Sequence, residues 1–215
     1  MILLRYIIWL FLFLFNLSLL NAQTMKTCVT SAGLVWHFED LADHHEQGLL
    51  NLFKDPDVGQ FFLGAHRAED ALYKYLERAR NKQFLYSDQY DFLKVIISEN
   101  KLIGLVSIAN NLPTWFSRDE RDFLRSHRMK DLMVVGYSIS REYRRQGLAK
   151  QAVSQLLSYI NENYKFNHFA ASVNSQNQAS QDLLQKLGFL KLPRAQAVQT
   201  HDRFFLDIKS LGKAL

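Results

Sequence analysis

The feature that most limits the fold lies between residues 132 and 173. Residues 132–140 are rich in β-branched side chains, and at Gly147 the pattern becomes helical. Leu148, Ala152, Leu156 and Ile160 recur every four residues as far as Asn163, with Ala149 and Val153 beside them. That spacing lays one apolar stripe along a helix. Phe169, Ala171 and Val173 then alternate, the period of a strand with one buried face. Strand, tight loop, helix, strand is a βαβ crossover, which demands parallel pairing and a right-handed connection.

The remaining elements fit around that unit. Residues 34–39 read as a strand through Leu34, Trp36 and Phe38, and residues 42–54 carry Leu49, Leu50 and Phe53 at helical spacing. A charged amphipathic helix is expected over 67–82. The apolar runs 92–98 and 102–108, parted by Glu99-Asn100-Lys101, read as a β-hairpin. Ala179, Leu183, Leu184 and Leu187 mark a further helix stopped by Gly188, and 203–208 reads as the last strand. A chain of 215 residues with 48% hydrophobic and 22% charged residues is globular and fits one α/β domain. A mixed central sheet with helices on both faces is therefore expected.

Between strand and helix, residues 141–147 form a basic loop with a single glycine. The first N–H groups of a helix lack intrahelical partners, and the helix dipole favours negative charge there. Gly147 permits a close main-chain approach, and Arg144, Arg145 and Lys150 add positive charge. The loop is an anion cradle. No Gly-Lys-Ser/Thr closes it as in a nucleoside-triphosphate loop, and one glycine does not make a dinucleotide fingerprint. The net charge of +5, from 26 Lys and Arg against 21 Asp and Glu, suits a polyanionic ligand. No basic run interleaved with aromatics points to nucleic acid. The lone Cys28 allows neither an internal disulfide nor a cysteine zinc site.

Arg144-x-x-Gly147-x-Ala149 matches the Arg/Gln-x-x-Gly-x-Gly/Ala pyrophosphate motif of the GNAT superfamily of N-acetyltransferases. Asn177-x-x-Ser180, followed by Leu183-Leu184-Gln185-Lys186-Leu187-Gly188-Phe189, resembles that family's next motif at the family's spacing. Gly136-Tyr137 and the Leu at 184 are similar to the ribosomal-protein N-terminal acetyltransferase (Rim-type) branch. The likeness is sharp over residues 134–189.

The resemblance implies a GNAT (acyl-CoA N-acyltransferase) fold that uses acetyl-CoA as co-substrate and no metal. It implies that the loop, from Arg144 and Arg145 through Gln146, Gly147, Leu148 and Ala149 to Lys150, holds the pyrophosphate. The pantetheine arm would lie along Tyr137, Ser138, Ile139 and Ser140, and Asn177 would touch it. Ser180 would lie near the departing sulfur, and Ser180, Tyr137 or water would supply its proton. The acceptor would be a primary amine of a small molecule or a protein N-terminus, attacking the thioester directly, and the protein a monomer or homodimer. A non-catalytic acyl-CoA-binding module of the same fold is the alternative.

Two positions depart from the family pattern. Leu184 stands where many relatives have a Tyr near the thiol, and Val134 and Val135 where Rim-type relatives often carry a Glu base. Glu39, His37 and His127 are base candidates by residue type alone. His201-Asp202 reads as a surface pair. The stretch 110–130, with Trp115, Phe116 and four arginines, either lies beside the acceptor pocket or is a solvated amphipathic helix.

The start of the chain has a different character. One positive charge, Arg5, precedes the unbroken apolar run 6–15, and Ala22-Gln23 offers a cleavage point. That is the layout of a signal peptide, of an uncleaved anchor, or of a mis-called extension upstream of Met25. Residues 1–22 are thus set apart, 23–33 read as a linker, and 34–215 as the N-acetyltransferase domain. Acetyl-CoA is a cytosolic metabolite, so the catalytic domain is expected in the cytoplasm, with the membrane involved only through residues 1–22 if retained; a membrane-associated or exported protein is the alternative.

Overall fold

The computed structural model describes residues 27–63, 67–81, 90–110, 132–192 and 200–208. Its strands are β1 (Cys28–Val29), β2 (Val35–Asp40), β3 (Asp91–Ser98), β4 (Lys101–Ala109), β5 (Leu132–Ile139), β6 (His168–Asn174), β7 (Leu190–Lys191) and β8 (His201–Asp207). They form one sheet in the order β1-β2-β3-β4-β5-β6-β8-β7. Its longer helices are α1 (Glu46–Phe53), α2 (Ala68–Arg80), α3 (Leu148–Tyr164) and α4 (Gln178–Lys186). Neither short edge strand was foreseen: β1 falls within the stretch read as a linker, and two-residue strands carry no periodicity. Residues 1–22, His127 and all but the first residue of the 110–130 stretch lie outside the described residues.

The hairpin β3–β4 turns at Glu99 and Asn100, with φ of 47° and 61°, and Ser98 pairs with Lys101. Two consecutive positive φ values define the tight turn whose twist matches the flanking strands. Alternation along the strands then divides the core. Ile96 and Val106 join Leu148, Ala152, Leu156 and Ile160 of α3 and Leu184 of α4 on one face. Leu93, Val95, Ile97 and Leu105 join Leu49 and Phe53 of α1 and Leu72 and Leu76 of α2 on the other. Leu156 is fully buried, which stabilises the fold by about 1.5–3 kcal/mol for such a side chain. Helices thus cover both faces, as the apolar patterns require.

The pairing of β5 with β6 positions the site. These parallel strands meet at only three positions, from Leu132↔His168 to Val134↔Ala170. Beyond them β5 continues along β4 as far as Ile139↔Gly104, while β6 continues along β8. The two central strands part, and one edge of β5 faces the opening.

Gly104 lets β5 sit that close to β4. A Cβ there would lie 2.9 Å from the Ser138 carbonyl oxygen and 2.8 Å from Ile139 Cδ1. Gly104→Ala is expected to cost about 1–3 kcal/mol, the range for an overfilled core, read from the urea midpoint at constant slope. A change under about 0.5 kcal/mol, typical of surface substitutions, would contradict the close approach.

Candidate active site

The open edge of β5 has a definite polarity. The Ser140 N–H donates to the Ile103 carbonyl at 2.9 Å. In an antiparallel ladder, hydrogen-bonded and non-bonded positions alternate. Gly136 and Ser138 therefore turn their main chain towards β4. The N–H groups of Tyr137 and Ile139 and the carbonyls of Val135 and Tyr137 turn to the opening. The Ile139 carbonyl is capped, because Arg144 Nε donates to it at 2.9 Å. An extended ligand arm can add here as a further strand. Tyr137 and Ile139 offer main-chain groups on this edge, whereas Ser138 spends its own on β4, and Ser140 gives its N–H to Ile103 and its carbonyl to the Tyr143 N–H. The Ser138 side chain is buried, and its Oγ has no partner among the described residues.

The chain leaves β5 through a single 3-10 turn, Arg141–Tyr143, and reaches α3 by way of two left-handed residues, Arg145 (φ 62°) and Gly147 (φ 77°). Gly147 is the N-cap residue of α3; it brings no side-chain cap, and the first turn holds no acidic residue. The Leu148, Ala149 and Lys150 N–H groups, at the start of a 17-residue helix, thus point out of the loop towards any bound anion. Arg145 and Lys150 are exposed beside them. A cavity of about 550 Å³ adjoins this point, walled by Thr30 and Ser31 on one side and by Gly147, Lys150 and Ser154 on the other. Gln151 ties the β1–β2 hairpin to the helix: it accepts from Trp36 Nε1 at 2.9 Å and donates to the Val29 carbonyl at 3.1 Å.

Arg144 has partners within the protein for all three of its guanidinium nitrogens. Besides the Ile139 carbonyl, its guanidinium meets Asp57 Oδ2 at 2.5 Å and Asp55 Oδ2 at 2.8 Å. Arg141 also reaches Asp57, at 3.3 Å. These two arginines, Arg144 foremost, hold the Asp57 carboxyl below its usual range. The motif's spacing carried no hint of the aspartates, because they come from a helical turn almost 90 residues earlier in the chain.

Across the opening, Asn177 caps α4, its Oδ1 accepting from the Ser180 N–H at 3.1 Å. Tyr137 reaches over from β5 and donates its hydroxyl to the Ser180 carbonyl at 3.3 Å. Burial pushes that phenol up to about 12. The Leu184 side chain is fully buried one turn further on. Tyr137, Asn177 and Ser180 are thus brought together beside the parted strands, as the motifs suggested.

The base candidates are not. Glu39 pairs with Val95, Val95 with Leu105, and Leu105 with Ser138, so Glu39 lies three strands, or about 14 Å, from β5. It belongs to a separate cluster: His37 Nε2 at 2.9 Å, His45 Nε2 at 3.2 Å and His44 Nε2 at 3.7 Å surround its carboxylate. Glu39, His44 and His45 have metal-ligand spacing. However, the Ala42 N–H donates to His45 Nδ1, which fixes the proton of a neutral ring on Nε2, where it donates to Glu39. His45 is thereby a hydrogen-bond donor and not a ligand. The expected surface pair at 201–202 also needs correction. Asp202 is 1% exposed and forms an ion pair with Lys191 at 2.9 Å, because its place on β8 turns it inwards.

Residues 37–190 match the family model described as an acetyltransferase (GNAT) domain. Solved structures agree in fold. A RimL ribosomal L7/L12 α-N-protein acetyltransferase in complex with coenzyme A is 14% identical, with a TM-score of 0.63 over 87% of this chain and 99% of that one. RimJ from Mycobacterium smegmatis, in complex with a CoA disulfide, is 13% identical, with a TM-score of 0.61 over 88% and 89%. A ribosomal-protein-S5-alanine acetyltransferase from Vibrio fischeri is 18% identical, with a TM-score of 0.55 over 80% and 91%. No curated protein matches the sequence. The chain belongs to the GNAT acetyltransferase family, with acetyl-CoA as its co-substrate.

The Glu39 cluster makes a test of its own. Burial, reinforced by the neighbouring His44, lowers the His45 imidazole below its usual 6.5. Between the lowered value and 6.5 the unfolded chain binds more protons than the folded one, so stability rises with pH there and is lost as pH falls below about 6.5. His45→Gln retains an acceptor for Ala42 and a donor for Glu39 but does not titrate. Its melting temperature is expected to fall less between pH 7 and pH 5 than the wild type's. Equal falls would refute the buried neutral imidazole.

Proposed function

We propose that the protein transfers the acetyl group of acetyl-CoA to a primary amine, of a small molecule or a protein N-terminus, by direct attack on the thioester. The observation that carries this reading is the join between edge and helix. The open edge of β5 ends at Ile139 and the uncapped helix α3 starts at Leu148, joined by one short connection, so one extended ligand that lies along the edge and reaches the helix start would meet main-chain donors at both. Arg145, Gln146, Gly147, Leu148, Ala149 and Lys150 surround the pyrophosphate, chiefly through N–H groups. The Tyr137 and Ile139 amides and the Tyr137 carbonyl pair with the pantetheine arm, and Asn177 lines its other side.

An oriented main-chain N–H of this edge polarises the thioester carbonyl and stabilises the oxyanion that forms as the amine attacks. Tyr137 and Ser180 face the departing sulfur. At about 12, the Tyr137 phenol holds its proton more tightly than a thiol near 8.5 does. The phenol's single O–H donates to the Ser180 carbonyl in the free protein; turned from that carbonyl to the sulfur, it stabilises the thiolate by a hydrogen bond and does not surrender the proton outright. A strand hydroxyl thus takes the place of the helix Tyr that Leu184 replaces.

Gly136-Tyr137, Leu184 and the RimL and RimJ likenesses favour the Rim-type branch, and with it a protein N-terminus as acceptor. The supply of acetyl-CoA favours a catalytic domain in the cytoplasm. Among the described residues no helix is long and apolar enough to cross a membrane.

Two variants test the assignment. Gly147→Asp places a carboxylate at a left-handed residue facing the pyrophosphate, and is expected to weaken CoA binding by at least about 100-fold, as charge repulsion adds to strain. Unchanged affinity by calorimetry would move the site elsewhere. Tyr137→Phe, assayed by thiol release with amine-bearing peptides and polyamines, is expected to lower kcat by about 10–100-fold at similar KM, the loss of one hydrogen bond to a charged group. An unchanged kcat would leave Tyr137 a packing residue only.

A further inference from the structure

The motif arginine has an unexpected set of partners. Three groups from two separate parts of the chain end on the Arg144 guanidinium: the last carbonyl of β5's open edge, and Asp55 and Asp57. Asp55 is 12% exposed, and its other oxygen accepts from the Asp57 N–H at 2.9 Å, so the two aspartates are held as one unit. They open the segment 55–63, a helical turn followed by a wider one. Val58 is buried in the second core, and Phe62 packs against Phe53 and Tyr75. Phe62 also lies beneath β5: its Cε2 would be 3.5 Å from a Cβ on Gly136, the residue before Tyr137.

This arrangement leaves Arg144 little to give a phosphate. Two aspartates balance the charges of Arg144 and Arg141, and all three nitrogens of the Arg144 guanidinium already donate to partners within the protein. Only a planar fork reaches a carbonyl and two carboxylates at once; a lysine ammonium is a compact point charge on a flexible stem.

On the reading that the loop holds CoA, we infer that Arg144 is a positioning residue and not a phosphate ligand: through Asp55 and Asp57 it fixes the cofactor loop, the end of the open edge and the segment beneath Gly136 in one arrangement. Cofactor affinity then depends on two carboxylates that never touch the cofactor. Simple electrostatics gives the opposite sign, since removing anions near a polyanion's site strengthens its binding.

The test is CoA binding to the full chain by calorimetry, with amide hydrogen exchange on the same samples. The variants are Arg144→Lys, Asp57→Asn and the double Asp55→Asn/Asp57→Asn. Asp57 is 39% exposed, so its isosteric replacement spares the core, and unchanged exchange in the β3–β4 hairpin verifies the fold. Arg144→Lys and the double variant are each expected to bind CoA about tenfold more weakly, the equivalent of one lost charged hydrogen bond. Asp57→Asn shifts the same way by less. Amides of residues 55–63 are expected to exchange faster in all three. Tighter CoA binding by the aspartate variants, or full affinity in Arg144→Lys, would overturn the inference and make residue 144 a direct charge contact. Failure of the wild type to bind CoA would instead defeat the assignment of the loop, and the inference with it.

Discussion

Main-chain N–H and C=O groups inside a sheet find partners almost without exception, and leaving one unsatisfied costs about 1–3 kcal/mol. Among the described residues, the outer edge of β5 has no strand beside it over its second half, because β6 turns away to β8 after Val134↔Ala170. The rest of the site follows from this parting. It sets the width of the opening, aims the Tyr137 and Ile139 amides into it, and leaves them for a ligand to satisfy. The Tyr137 hydroxyl bridges the gap to Ser180, while Leu184 and Phe189 fill the core shared by α3 and α4. Nearby, Arg144 satisfies the one edge carbonyl that would otherwise stand at the strand's end.

Charge is distributed to suit a polyanion without relying on the motif's own arginine. Attraction comes from the uncapped start of a long helix and from Arg145 and Lys150, while Arg144 and Arg141 are balanced by Asp55 and Asp57. Amide donors held by the backbone need little reorganisation when the ligand arrives, whereas long cationic side chains pay entropy to be fixed. A loop built this way gains affinity from shape as much as from net charge.

The fold was legible where apolar periodicity was long. α3, with its four-residue repeat from Leu148 to Ile160, and the β3–β4 hairpin both formed within a residue or two of expectation, and the loop between β5 and α3 followed from them. Two-residue strands such as β1 and β7 carry no pattern to read. In the site, residues linked by a local motif were found together: Gly147 with its helix, Asn177 with Ser180. Residues linked only through the fold were not. Asp55 and Asp57 reach Arg144 from the far end of α1, and no spacing encodes that contact. Glu39 and His37 were base candidates by residue type alone, and strand order placed them three strands from the opening. Asp202 looked like surface because charge suggests exposure, yet its strand position buries it against Lys191.

The central claim is that β5 takes its ligand by main-chain pairing at alternate residues. Residue-resolved amide hydrogen exchange, with and without saturating CoA, tests it most directly. Tyr137 and Ile139 should exchange readily in the free protein and become protected when CoA is added. Gly136 and Ser138, already bonded to β4, should be protected in both states. Exchange at Tyr137 and Ile139 that does not respond to bound CoA would contradict the claim, and the cofactor would have to lie elsewhere.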